Sequence, residues 1–319
     1  MSPDVVLSVK NLTKIYPGKE KFVAVDHISF DLHGGEILGL LGPNGAGKTT
    51  TIQMLLSTLK PTSGEISYFG KNFYTHRSEV LKYISFASTY IRLPWRLTVN
   101  ENLIIYGRLF GLTNSEIKSR VEKFLKFFGV WKMRDKEVSS LSAGQTTRVM
   151  LAKAFLAYPK IALLDEPTAS LDPDIAHEVR AFVLEQQKSY DVSMLFTSHN
   201  MDEVSAVCNR VMFLQHGKIV ANDEPDKIAR SVSTAHIELT VGDGLKRTVE
   251  YAKKQKFAYE IDDRAITIAI DEHKIAALLE NLAKVGVNYT QIAITKPTLE
   301  DYFLQLSKTE QKKGAHERT

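Results

Sequence analysis

A glycine-rich segment directly after the apolar run Ile37–Leu41 constrains this chain more than any other sequence feature. The segment consists of Gly42, Pro43, Asn44, Gly45, Ala46, Gly47, Lys48 and Thr49, and Thr50 follows it. Such a segment is typical of a glycine turn between a strand and the start of a helix. Its backbone N–H groups and the positive end of the helix dipole converge on phosphate oxygens. We therefore predict that these residues bind a nucleoside triphosphate.

Two side chains of this loop carry its chemistry. Lys48 is expected to reach the outer phosphates, and the hydroxyl of Thr49 is expected to bind Mg²⁺, which neutralises charge as the terminal bond breaks. The plainer alternative is a chance lysine in a glycine-rich strand-to-helix turn. The loop by itself does not separate transporters from kinases or GTPases.

A pair of acidic residues is expected to complete this site. Ile161–Leu164 is short and apolar, as a buried parallel strand would be, and Asp165 and Glu166 follow it. Asp165 is predicted to bind Mg²⁺, directly or through water. Glu166 is predicted to leave the strand and to act as the general base toward the water that attacks the terminal phosphate.

Length and composition indicate a globular protein of two domains. The 319 residues are 44% hydrophobic and 24% charged, which is near the average for soluble proteins. The 41 basic and 37 acidic residues are interspersed, so we expect no nucleic-acid partner. The single cysteine, Cys208, excludes an internal disulfide and fits a reducing cytoplasm. No secretory signal is evident, and no uncharged run reaches the roughly 20 residues of a spanning helix.

Hydrophobic patterning predicts an α/β domain over residues 1–230 and a small α+β domain over 231–319. A helical arm is expected at about 90–145, because the pattern from Thr98 to about Phe128 is helical. The other predicted elements of the first domain are the strands Val5–Val9, Phe22–Leu32, Glu65–Phe69, Val192–Thr197 and Arg210–Leu214 and the helix Thr49–Leu59. Those of the second are the strands Ala235–Val241, Ala265–Ile270 and Tyr289–Ile294 and the helix Glu272–Ala283.

The pentapeptide Leu141-Ser142-Ala143-Gly144-Gln145 lies shortly before the acidic strand. In this position the sequence strongly resembles the ATP-binding cassette (ABC) family, whose pentapeptide is Leu-Ser-Gly-Gly-Gln. The resemblance covers about residues 5 to 225. It implies a P-loop NTPase fold of the ABC type, with a mixed-sheet core and a helical subdomain, that binds ATP and Mg²⁺ and hydrolyses ATP.

The resemblance also implies a second copy of the chain as a partner. In this family Ser142, Gly144 and Gln145 form an anion site that faces outward and completes the ATP site of a facing subunit. Two copies would then enclose two ATP molecules in isologous contact. Asp172, in Ser170-Leu171-Asp172, corresponds to the loop that touches the opposing subunit.

Two more residues match functional positions of the family. Tyr16 lies where the family has an aromatic residue that stacks on adenine, a contact worth on the order of 1 kcal/mol. His199, after the strand that ends at Thr197, lies where the family histidine hydrogen-bonds the terminal phosphate. It joins Lys48 and Glu166 as an expected catalytic residue.

One position departs from the family. The family expects a glutamine that contacts Mg²⁺ between the sheet and the helical arm, and alignment from Leu97 places Thr89 there. A threonine hydroxyl is shorter than a glutamine side chain. A water fills the gap to the metal, or Ser88 substitutes, or hydrolysis and its coupling to transport are weakened, and the sequence leaves these three alternatives open.

The segment Pro297–Leu304 resembles the ending of ATPase subunits of drug-, lipid- and polysaccharide-exporting ABC systems. This implies a separate polytopic membrane permease as a partner and a cytoplasmic location, peripheral on the inner face of the cell membrane. Pro94-Trp95-Arg96 is the candidate permease contact, and the alternative for Trp95 is a place in the core. The alternative is a soluble ABC-type ATPase clamp that acts without a permease. A P-loop kinase or GTPase does not explain the pentapeptide at Leu141, and no Asn-Lys-x-Asp motif is present.

Overall fold

The computed structural model describes residues 4–18, 21–88, 93–231, 235–295, 297–304 and 306. The chain divides into two compact units, Met1–Pro225 and Asp226–Thr319. The domain boundary expected from the sequence, at 230, stays a prediction.

The first unit contains two sheets. Its strands are β1 (Val5–Tyr16), β2 (Phe22–His33), β3 (Ile37–Leu41), β4 (Ser63–Tyr68), β5 (Lys71–Asn72), β6 (Ile84–Ser88), β7 (Ile161–Asp165), β8 (Ser193–Thr197), β9 (Arg210–Gln215) and β10 (Lys218–Asp223). The antiparallel sheet has the order β2-β1-β4-β5. The second has the order β10-β9-β3-β8-β7-β6, in which only the edge strand β10 runs antiparallel to its neighbour.

Helices follow or connect these strands. They are α1 (Lys48–Leu55), α2 (Arg77–Val80), α3 (Val99–Leu109), α4 (Asn114–Phe127), α5 (Ala143–Phe155), α6 (Pro173–Tyr190), α7 (Met201–Val207) and α8 (Pro225–Arg230). Short 3₁₀ turns occupy Leu81–Tyr83, Trp131–Met133 and Val138–Ser140. The last helix, α8, crosses the division between the two units.

The central strands are apolar because both of their faces are covered. Every residue of β3, β7 and β8 is buried, as expected for parallel strands between two layers. A continuous core packs on this sheet, and it includes Leu40 of β3, Leu163 of β7 and Tyr68 of β4. The carboxyl ends of the parallel strands therefore share one edge of a rigid sheet.

The predicted helical stretch from Thr98 to Phe128 consists of two helices, α3 and α4. Gly111 adopts a left-handed backbone (φ 78°) after α3, which a glycine tolerates without steric cost. Thr113 then starts α4 by a reciprocal cap, accepting from Glu116 N and donating its own N–H to the Glu116 carboxylate. The left-handed glycine and the new cap together separate the two helices of the arm.

An aromatic cluster packs the helical arm against α6. The ring of Phe182 lies 4.8–6.3 Å, centroid to centroid, from four other rings. These rings belong to Phe124, Phe127, Phe128 and Phe155. Their contact fixes α4 and α5 relative to the helix that follows the acidic strand.

The second unit is a small α+β layer structure. Its elements are β11 (Ala235–Asp243), α9 (Leu245–Lys254), β12 (Ala258–Asp262), β13 (Ala265–Ile270), α10 (Ile275–Lys284) and β14 (Asn288–Thr295). The strands form an antiparallel sheet in the order β12-β13-β11-β14. Alternate residues of β11 and β13 are buried together with Leu278 and Leu282 of α10. Most of the helix predicted at Glu272–Ala283 is α10, and its first three residues form a 3₁₀ turn instead.

The carboxyl-terminal segment begins a helical turn at Thr298. The Thr298 N–H and hydroxyl both donate to the Asp301 carboxylate, and Asp301 N–H donates back to the Thr298 hydroxyl. This reciprocal cap fixes the start of the helical turn.

Candidate active site

The glycine-rich loop is held in a conformation that only glycine accommodates at two of its positions. Gly42 and Gly47 have φ values of 146° and 105°. A Cβ added at Gly42 would lie 2.2 Å from Leu214 O, and one added at Gly47 would lie 2.5 Å from Ala24 O. Close backbone packing behind the loop therefore requires both glycines. The loop is a shallow cradle whose other side is open, since Asn44 and Gly45 are exposed.

The side chain of Lys48 folds back onto its own loop. Lys48 Nζ donates to the carbonyl oxygens of Gly42 at 2.5 Å and Pro43 at 3.1 Å. Burial lowers the pKa of Lys48, and the charges of Glu166 and Asp165 partly offset that effect. The ammonium group thus lies near both carboxylates and is held over the loop by two carbonyls that a phosphate could replace. Thr49 is exposed, and Thr50 is half-buried in the first turn of α1.

Three neighbouring strands bring a row of polar residues together at their carboxyl ends. Ser88 of β6, Asp165 of β7 and Thr197 of β8 are direct register partners. Asp165 is 7% exposed. Its Oδ1 accepts from Thr197 Oγ1 at 2.7 Å and its Oδ2 from Ser88 Oγ at 3.1 Å. These two hydroxyls fix the carboxylate and leave each oxygen with a further lone pair.

Glu166 leaves the strand abruptly, as the sequence predicts. Its φ of 50° is left-handed, a strained conformation for a residue with a side chain. Its N–H donates to both the carbonyl and the hydroxyl oxygen of Thr197, at 3.1 and 3.0 Å. This directs the half-buried Glu166 carboxylate toward His199, whose Nδ1 lies 3.3 Å from Glu166 Oε2. The imidazole is largely exposed.

The structure thus brings Lys48, Asp165, Glu166 and His199 into one neighbourhood. Sequence reasoning missed Thr197, which holds both acidic residues through three hydrogen bonds. The available signal was a threonine at the end of an apolar strand next to the predicted acidic strand. Its role depends on the order of the strands, which the sequence alone did not provide.

Thr49 and Asp165 offer a hydroxyl and a carboxylate oxygen. Oxygen donors of this kind suit Mg²⁺, which usually keeps water and substrate phosphate as its other ligands. In the described part of the chain no cluster of three or more His, Cys, Asp or Glu side chains forms a metal site. Thr49 and Asp165 therefore fit a Mg²⁺ ion whose other ligands come from the phosphates of a bound nucleotide and from water. Thr89, the third predicted metal ligand, lies outside the described residues.

The pentapeptide forms the start of α5 at a separate, exposed place. Ser142 Oγ accepts from Gln145 N at 3.2 Å, and Gln145 Oε1 accepts from Ser142 N at 3.1 Å. Because the hydroxyl accepts in this cap, its own hydrogen is available to donate. A Cβ at Gly144 would lie 3.1 Å from Ser170 O, so the loop leading to Asp172, the N-cap of α6, packs beside this helix start.

The remaining predicted residue, Tyr16, ends β1. Its ring stacks on Phe22, with centroids 6.5 Å apart and planes inclined by 23°. Lys14 Nζ lies 5.2 Å from the Tyr16 centroid. The aromatic pair forms a half-exposed platform beside the antiparallel sheet. Its use for adenine stacking stays a prediction.

Comparison with known proteins places these features in a family. Residues 25–169 match the family model described as ABC transporter. The bacitracin transport ATP-binding protein BcrA of Bacillus licheniformis is 32% identical over 309 residues, covering 94% of this chain and 97% of the relative. The Nod factor export ATP-binding protein I of Rhizobium meliloti (strain 1021) is 31% identical, covering 97% and 90%.

Solved structures agree on the fold. An ATP-binding subunit of an ABC transporter is similar with a TM-score of 0.66 and 26% identity over 71% of this chain and 92% of that chain. A dimeric ATP-binding cassette in a post-hydrolysis state, bound to ADP and phosphate, has a TM-score of 0.64 at 23% identity, with coverages of 68% and 98%. The predicted fold class is confirmed.

Within the ranges that the structure describes, no helix has the length and apolar character needed to cross a membrane. The relatives above match this chain over nearly their whole length, and both are ATP-binding proteins by name. The phosphate loop, the acidic strand end and the full-length relatives point to one conclusion: this chain belongs to the ABC transporter family, as one of its ATP-binding proteins.

Proposed function

We propose that this chain is the ATP-hydrolysing subunit of an exporter and drives a separate membrane permease by ATP-dependent dimerisation. ATP binding and hydrolysis are general to the family, and the coupling to export is the proposed part. The observation that carries the proposal is the strained Glu166, which is held beside His199 at the edge of the sheet that presents the phosphate loop.

Hydrolysis would proceed from these residues. Glu166 accepts a proton from water as the water oxygen bonds to the terminal phosphorus and the bond from that phosphorus to the ADP oxygen breaks. Lys48 leaves its loop carbonyls for the phosphate oxygens, and His199 donates to the terminal phosphate. Mg²⁺, held by Thr49 and Asp165, would neutralise charge on the outer phosphates. Thr197 keeps the Asp165 carboxylate and the Glu166 backbone in place throughout.

The exposed start of α5 supports a homodimer. Ser142 has a hydroxyl hydrogen to donate and lies at a helix N-terminus, where anions are favoured. In a two-fold dimer the loop of one copy and Ser142 of the other would bind the same triphosphate, and each contact would occur twice. Loss of the terminal phosphate removes the shared charge, so the dimer would reopen after hydrolysis.

The permease contact is proposed on the helical arm. Trp95 is 56% exposed, and the Arg96 guanidinium lies 4.6 Å from its ring centroid. An exposed aromatic and arginine pair is typical of protein interfaces. Relatives named for bacitracin transport and Nod factor export support the assignment to an exporter. The chain would then be cytoplasmic and peripheral on the inner face of the cell membrane.

The test is the substitution Glu166→Gln, which keeps the side-chain shape and removes the proton acceptor. We expect ATP binding to be retained, turnover to fall by about 100-fold or more, and the variant to elute as a dimer from size exclusion in ATP and Mg²⁺. Glu178→Gln, an exposed change on α6, is the matched control and stays like wild type. A Glu166→Gln protein that binds ATP and remains monomeric contradicts the proposed mechanism.

A further inference from the structure

A buried carboxylate that the proposed hydrolysis does not use lies behind the active site. Glu203, in the first turn of α7, is 5% exposed. Its Oε2 accepts from Ser198 Oγ at 2.6 Å and from Thr168 Oγ1 at 2.8 Å. Among the described residues, its Oε1 has no hydrogen-bond partner, and Arg180 Nη1 of α6 lies 3.6 Å from it.

The two hydroxyls that Glu203 accepts from lie on the two loops that carry predicted functional residues. Ser198 directly precedes His199. Thr168 lies between Glu166 and Asp172, in a tight turn closed by a hydrogen bond from Leu171 N to Thr168 O. One oxygen atom therefore connects the loop of the histidine to the loop that leads to Asp172.

Two further hydrogen bonds fix the backbone around Glu203 and His199. Glu203 N donates to Asn200 Oδ1 at 3.1 Å, which starts α7. Asn200 N donates to Ser198 Oγ at 3.1 Å. The Ser198 hydroxyl thus accepts from the backbone on one side of His199 and donates to Glu203. The Ser198 hydroxyl therefore links the backbone of the histidine loop to the Glu203 carboxylate.

Stability by itself does not require a carboxylate here. A buried ion pair is often no more stable than apolar packing, and a buried oxygen without a hydrogen bond is costly. What a charged acceptor adds is short, strong hydrogen bonds of defined direction. Both bonds of Glu203 Oε2 are of this length, so the carboxylate supplies geometry between two loops.

We propose that Glu203 is a positioning residue that couples the Asp172 loop to His199. Its two hydroxyl bonds make the two loops move as one body. This rests on the proposed dimer in one respect: contact of the Asp172 loop with a facing copy would then set the position of His199 relative to the terminal phosphate. The bridge itself exists within a single protomer and is testable without a dimer.

The first experiment measures the bridge in the nucleotide-free protein by hydrogen–deuterium exchange. Glu203→Ala should raise exchange in both 166–172 and 197–200. Thr168→Val, which removes only one hydroxyl, should raise exchange at 197–200 as well as in its own loop. A rise confined to α7 or to the altered loop overturns the proposal. This readout does not depend on turnover, so it stands apart from a failure of the proposed function.

The second experiment is a double-mutant cycle on ATP turnover. Glu203→Ala should lower kcat about tenfold and leave KM within about twofold, since misplacing a catalytic group affects the chemical step more than binding. In a His199→Ala background the same change should cost less than about twofold, because coupled residues are non-additive. Equal losses in both backgrounds overturn the proposal. Glu203→Gln keeps an oxygen acceptor but loses the charge, so its kcat should lie between those of Glu203→Ala and the wild type.

Glu36→Ala is the matched control for both experiments. Glu36 is also a mostly buried carboxylate, and it pairs with Arg210 at 2.7 Å. It directly precedes β3 and so lies at the amino-terminal ends of the parallel strands, whereas Asp165 lies at their carboxyl ends. Its loss should destabilise the first unit without raising exchange at 166–172 or 197–200. If Glu36→Ala reproduces the Glu203→Ala pattern, the effect is general destabilisation and the coupling is refuted.

Discussion

Two helix starts in the first unit are both predicted to bind phosphate. They differ in whether side chains of the protein accept hydrogen bonds from their free backbone N–H groups. The start of α1 has Gly47 in a left-handed conformation, no side-chain cap and no acidic residue in its first turn. The start of α5 caps itself through Ser142 and Gln145. A helix start without a cap needs an external acceptor, whereas the capping box of α5 satisfies two N–H groups, those of Ser142 and Gln145, without a ligand.

This difference suggests a division of work between the two. The first start has its own cation, Lys48, and carboxylates nearby that offset the effect of burial on the pKa of that lysine. It can bind an anion within one protomer. The second start offers mainly a hydroxyl hydrogen and a helix dipole, a contribution of about 1 kcal/mol or less when exposed. It becomes useful when another surface supplies the rest of the site.

Adding one methyl group to each helix start tests this division of work most directly. Gly47→Ala forces a Cβ within 2.5 Å of Ala24 O at a φ of 105°, a combination of strain and overlap worth several kcal/mol. We expect ATP affinity of the monomer to fall about 100-fold or more, as measured by titration with a fluorescent ATP analogue.

Gly144→Ala is the paired control. Its Cβ would lie 3.1 Å from Ser170 O, with no left-handed backbone to strain, so a shift of a few tenths of an ångström accommodates it. ATP affinity of the monomer should stay like wild type, and only dimer formation with ATP should weaken. If both alanine variants lose monomer binding alike, the two helix starts do not differ in their role in ATP binding.

Burial lowers the pKa of two lysines, one at the start of α1 and the other in the last turn of α5. Burial lowers the pKa of Lys153 to about 8, and among the described residues no carboxylate pairs with it. The Tyr106 ring, 5.1 Å away, is its aromatic neighbour. Below pH 8 both the folded and the unfolded state bind the proton, and the folded state bears the cost of the buried charge in full.

Lys153→Met should therefore raise the free energy of unfolding by at most about 3 kcal/mol at pH 7. Between pH 8 and 10.5 the wild-type unfolded state binds more protons than the folded state, so wild-type stability rises and the gain of the variant shrinks. Denaturant unfolding at pH 7 and pH 10 checks this. Lys118→Met, an exposed change on α4, should shift stability by less than about 0.5 kcal/mol at either pH. A gain from Lys153→Met that does not vary with pH contradicts the buried-charge explanation.

The sequence predicted the parts of the site that depend on local pattern. Strand β13 has the bounds expected from its alternating residues, and the phosphate loop and the acidic strand end lie where glycine spacing and apolar runs placed them. Such features are set by a few adjacent residues, whose backbone preferences act without help from the rest of the fold.

What the sequence could not supply is the order of strands. Ser88, Asp165 and Thr197 become neighbours only because β6, β7 and β8 are adjacent and in register. Glu203 reads as an ordinary acidic residue in the first turn of a helix until α7 is placed behind the acidic strand end. Contacts between residues distant in sequence are decided by packing of the whole sheet, which no local pattern encodes.

Ser142→Ala gives the smallest effect and isolates what the second start does. It removes the cap on Gln145 N, which should cost about 1 kcal/mol and lower Tm by about 2–4 °C. ATP affinity of the monomer should not change, because the first start is complete without it. Dimerisation and turnover should fall, since the hydroxyl that would reach the facing triphosphate is gone.

Ser142→Asp separates the two roles, because aspartate also caps helices well but repels phosphate: stability should return while dimerisation is lost. Recovery of both in Ser142→Asp would mean that Ser142 only caps α5.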